Sequence, residues 1–100
     1  NYFEFHARVG EIDPTSDRFA LFQQIISSDP YFKISSVGGS NRYFVNAKFF
    51  DTGSQNALQI WRRMIDVKLK ENGFEVQKEV KPEYCILDDI PNLDEQQLQL

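Results

Sequence analysis

The sequence predicts one small α+β domain, a four-stranded antiparallel sheet with two helices on one of its faces. Three observations carry that expectation: an alternating opening segment, two segments of helical period with start and stop signals, and a glycine turn between two β-rich runs. A chain of 100 residues that is 41% apolar can fill one hydrophobic core but not two of ordinary size.

Segment Tyr2-Phe3-Glu4-Phe5-His6-Ala7-Arg8-Val9 alternates strictly. Phe3, Phe5, Ala7 and Val9 lie to one side and Tyr2, Glu4, His6 and Arg8 to the other, which is the pattern of a half-buried strand. Gly10 ends it, and Asp13-Pro14-Thr15-Ser16-Asp17 offers capping side chains, a proline suited to a first turn, and acids for the positive end of a helix dipole. Phe19, Leu21, Phe22, Ile25 and Ile26 then follow helical spacing until Ser27-Ser28-Asp29-Pro30 stops them.

Tyr31 to Val37 and Arg42 to Phe50 are rich in aromatic and β-branched residues, and Gly38-Gly39-Ser40-Asn41 between them permits the positive φ of a tight turn. They form a hairpin. In its second arm Tyr43, Val45, Ala47 and Phe49 point one way, while Arg42, Phe44, Asn46, Lys48 and Phe50 point the other. Asp51-Thr52-Gly53-Ser54 is expected to cap a second helix with Leu58, Trp61, Ile65 and Leu69 as its stripe, widened by Ala57 and Met64 and ended at Asn72-Gly73. Phe74, Val76 and Val80 mark another strand. Pro82 is expected to break it, and Tyr84-Cys85-Ile86-Leu87 to form a short continuation or a fifth edge strand.

The order β-α-β-β-α-β is the ferredoxin-like split arrangement, in which both helices cover one sheet face and leave the other open. A separate small sheet built from the hairpin and last strand is the alternative. Residues 1–87 form the domain, and 88–100, acidic and glutamine-rich, read as a flexible tail. The chain opens at Asn1 rather than Met, so a processed chain or a fragment of something longer is expected.

The net charge of −4 is segregated: residues 1–41 carry −2, residues 42–82 carry +3, and residues 83–100 carry −5. An acidic pI near 4.9 argues against phosphate neutralisation as the main purpose, although the middle third keeps a local basic patch open. No stretch approaches the roughly 18 apolar residues of a membrane span, so no membrane partner is expected. The single cysteine, Cys85, cannot close an internal disulfide, which points to a reducing, cytoplasmic setting.

Little here suggests catalysis or a cofactor. Metal centres and most nucleophilic sites need clustered His, Cys, Asp or Glu, and the chain holds one His and one Cys, far apart in sequence. A dyad would require His6 and Cys85 to meet across the sheet. The paired acids Asp88-Asp89 and Asp94-Glu95 fall in the tail and read as a solvated segment. Gly38-Gly39-Ser40-Asn41 runs from strand to strand, unlike a phosphate loop, which runs into a helix. No enzyme, no cofactor and no metal ligand are expected.

The open sheet face carries the functional expectation, with Tyr2, His6, Arg8, Arg42, Phe44, Lys48 and Phe50 as binding residues and Glu4 and Asn46 among them. Segment Arg42-Tyr43-Phe44-Val45-Asn46-Ala47-Lys48-Phe49 resembles the third-strand signature of the RNA-recognition motif, and Tyr2-Phe3-Glu4-Phe5 its first-strand signature. The similarity covers a small part of the chain, and the glycine that follows the basic residue in that signature is absent here. Such a resemblance implies single-stranded RNA on the sheet face. The favoured expectation is a non-catalytic binding or assembly module that docks a protein, or a second copy of itself, through the open face or an edge.

Overall fold

A computed structural model describes residues 1–50 and 52–86. Leu87 and the 88–100 tail, with its paired acids, lie outside the described residues. The fold is α+β and ferredoxin-like: β1 (Tyr2–Val9), α1 (Asp17–Ser27), β2 (Phe32–Ser36), β3 (Tyr43–Phe50), α2 (Ser54–Arg62) and β4 (Val76–Cys85). The sheet order is β2-β3-β1-β4 and every neighbouring pair is antiparallel. Each helix therefore carries the chain over an intervening strand, α1 over β3 and α2 over β1.

The alternation of β1 and β3 is realised as a two-sided sheet. Phe5, Ala7 and Val9 face the helices opposite Ala47, Val45 and Tyr43, and all six are buried. From α1, Phe22 and Ile26 close this core, while Leu21 lies on the exposed flank. Ser16 caps α1 by accepting a hydrogen bond from the Phe19 amide at 3.2 Å, and Asp13 braces the preceding turn through Thr15.

Trp61 is the centre of the packing. It stacks on Phe5 at 5.2 Å and on Phe32 at 5.8 Å, with Met64, Ile65 and Leu69 filling the space beyond. The helix that carries it departs from expectation in three ways. Leu58 is 47% exposed and belongs to the flank, because Ala57 and Trp61 already fill the inward positions of that turn. The N-cap position is Gly53, which has no side chain to cap with, and Thr52 Oγ1 donates instead to the Phe50 carbonyl. After Arg62 the backbone widens into a π-helical stretch, Arg63–Leu69, that keeps Met64, Ile65 and Leu69 inward. Gly73 ends it with φ +82°, which brings the Phe74 amide back to the Leu69 carbonyl.

Pro82 does not break the last strand. β4 runs through it to Cys85, so Tyr84 and Cys85 continue β4 and form no fifth strand. The register shifts by one residue between the Glu4–Glu83 and His6–Val80 pairs, a bulge at the sheet edge where proline's missing N–H costs no ladder bond.

Candidate functional site

Among the described residues no helix covers the second face of the sheet. Along β1 it presents Tyr2, Glu4, His6 and Arg8, flanked on β3 by Phe50, Lys48, Asn46 and Phe44 in register. The bulge in β4 re-phases its side chains, so Lys78 and Val80 before it share this face with Glu83 and Cys85 after it. All seven binding residues expected from the sequence lie on or beside this surface, but they do not form one patch.

Tyr2 and Phe50 make an aromatic corner at one end, with ring centroids 4.8 Å apart and the Lys48 amine 5.5 Å from the Tyr2 ring. Phe50 is 46% exposed at the end of β3, where it pairs with Tyr2 in the β1–β3 ladder. The Cys85 thiol beside Tyr2, with burial next in weight, pushes the tyrosine hydroxyl above its ordinary range. Next to this corner, a depression of about 800 Å3 runs between Phe50, Asn46, Lys33 and Tyr31.

The middle of the face is polar and connected. Asn46 Nδ2 donates to Ser35 Oγ at 2.8 Å, and its Oδ1 accepts from His6 Nδ1 at 2.7 Å, so one chain of hydrogen bonds crosses three strands. His6 Nε2 then lies 3.7 Å from Glu4 Oε1, and the Cys85 thiol donates to that same oxygen at 3.7 Å. His6 and Cys85 are thus brought to the same region with Glu4 between them.

The basic residues are dispersed. Arg8 stands at the far end opposite a half-buried Phe44 and beside Lys78, and its Nε is buried without a hydrogen-bond partner. Arg42 lies just before β3, 3.7 Å from Glu11, and Lys48 faces Glu4 across the β1–β3 ladder. Carboxylates thus interrupt any positive strip through Arg8, Arg42 and Lys48.

Sequence reasoning missed Ser35, Val80, Glu83 and Cys85 as members of this face. Ser35 was discoverable from the alternation of β2, but the β4 residues depend on a bulge that no periodicity announces. Among the described residues no helix is long and apolar enough to cross a membrane. No family model matches the chain, and no curated protein shows significant similarity to it.

Proposed function

We propose that the chain is a non-catalytic docking module that binds a protein through the uncovered face of its sheet. The observation that carries this reading is the aromatic corner of Tyr2 and Phe50, apolar surface held by the sheet in a position that no element among the described residues covers. Aromatic groups of this kind contribute to interfaces more than to a core. The edges suit docking less well. β2 is short, and β4 carries Lys78, Lys81, Pro82 and Glu83, charges and a missing N–H that oppose strand addition. A free thiol at Cys85 fits a reducing, cytoplasmic setting.

A second copy of the chain is the partner to test first. Size-exclusion chromatography with light scattering over a concentration series should show mass rising above that of the 11.7 kDa chain. The pair Tyr2→Ala and Phe50→Ala should hold it at the monomer mass. A wild-type chain that stays monomeric while binding mixed-sequence single-stranded RNA at low salt would replace this reading with the RNA one.

A further inference from the structure

We propose that Glu4, His6 and Glu83 form a site for a divalent transition metal ion, with zinc the ion that fits best. The β1–β4 register makes Glu4 and Glu83 direct cross-strand partners on the uncovered face. Two like charges so placed destabilise a sheet unless something positive stands between them. His6, two residues along β1 from Glu4, completes the group. One ligand atom from each of the three residues lies within 4.8 Å of the other two.

The spacing suits coordination. Ligand atoms 2.0–2.2 Å from a tetrahedral ion stand roughly 3.3–3.6 Å apart, close to the 3.7 Å between His6 Nε2 and Glu4 Oε1. Glu83 is exposed at the sheet edge, where its side chain is free to turn toward the other two.

The hydrogen bonds outside the ligand set support the same reading. Ser35 orients Asn46, and the Asn46 carbonyl takes the Nδ1 proton of His6. In the neutral imidazole with its proton on Nδ1, the lone pair of Nε2 faces the Glu4 carboxylate, an arrangement of acceptor against acceptor that a cation relieves. Metal-ligating histidines characteristically give their other N–H to such an oxygen, which fixes the ring and raises its basicity. Lys48, across from Glu4 on β3, does not fill the role. Its amine lies over the Tyr2 ring, and among the described residues it forms no ion pair within 4.0 Å of Glu4.

An imidazole nitrogen with two carboxylates matches zinc better than magnesium or calcium, which take oxygen ligands. Three protein ligands leave a fourth position open to water.

The test titrates the chelator-stripped full chain with zinc chloride by calorimetry and follows thermal unfolding with and without the ion. The expected result is one ion per chain, a rise in melting temperature, and about a tenfold or greater loss of affinity in His6→Gln and in Glu83→Gln. Glu83→Gln changes an exposed side chain, so it should fold even if His6→Gln does not. Asn46→Ala should weaken binding about tenfold or more without removing any ligand. Absence of zinc binding by the folded chain would overturn the proposal. Binding that persists unchanged in Glu83→Gln, or magnesium binding as tight as zinc, would overturn it equally.

Discussion

Replacing Trp61 by alanine should bring the domain close to unfolding. The indole is 2% exposed and lies between Phe5 and Phe32, so its removal leaves a cavity lined by two aromatic rings that cannot close over it. Loss of transfer energy plus that cavity costs about 3–5 kcal/mol. The indole N–H also donates to Glu79 Oε1 at 3.1 Å. Glu79 keeps Arg62 as a partner and is about one-third exposed, so the lost bond adds only about 0.5–1 kcal/mol. The total, roughly 3.5–6 kcal/mol, compares with the 5–15 kcal/mol of whole-domain stability typical at this size. Trp61→Phe separates the contributions: it keeps an aromatic slab and should cost about 1–3 kcal/mol. Urea unfolding followed by circular dichroism measures both variants, and wild-type tryptophan emission should be blue-shifted and shielded from quenchers. A Trp61→Ala loss below about 1 kcal/mol would refute the reasoning, because no buried indole is removed so cheaply.

Two further predictions concern charge and backbone. Hydrogen bonding from Arg62, and more weakly from Trp61, holds the Glu79 carboxyl below its ordinary range. A depressed folded-state value contributes stability that is present above the unfolded glutamate pKa of about 4.3 and lost as pH falls through the folded value. Glu79→Gln should therefore lower the melting temperature at pH 7 and flatten its fall in the acid range, as read from melts between pH 2 and pH 7. Gly73→Ala forces a Cβ onto a residue at φ +82° and should cost about 1 kcal/mol, or roughly 4–8 °C in melting temperature. Gly38→Ala, where a Cβ would meet nothing within 4 Å, is the matched control and should change little.

The central strands and α1 were legible because their side chains obey a single period from end to end. Phe5, Ala7, Val9, Val45, Ala47 and Phe49 needed only alternation to be placed in the core. Where the backbone changes period, reading by period misplaces residues. Leu58 was assigned inward by its spacing to Trp61 and Ile65, yet the inward positions of that turn belong to Ala57 and Trp61, and the helix widens before Ile65 is reached. The same limit hid part of the candidate site. A uniform β4 would put Val80, Pro82 and Tyr84 on one side, whereas the bulge puts Val80 with Glu83 and Cys85. His6 and Glu4 were visible as face residues, but the carboxylate brought against them comes from a strand more than seventy residues away, and register is a property of pairing rather than of composition.

The place of β1 in the sheet also bears on how the domain assembles in time. Its residues 2–9 pair with 43–50 on one side and with 76–85 on the other, so the earliest-made strand of this sheet waits for the latest-made one. Local contacts can form early in the β2–β3 hairpin and in the helices, but loop-closure entropy must be met twice before β1 has both neighbours. Until β4 arrives, one edge of β1 stands open beside Phe3, Phe5 and Val9, the combination of unpaired backbone and apolar side chains that invites wrong pairing. Synthesis slowed or interrupted before Val76 therefore leaves a sheet with β1 and its core-facing Phe3, Phe5, Ala7 and Val9 at the border, and the ten-residue β4 acts as the closure that hides them.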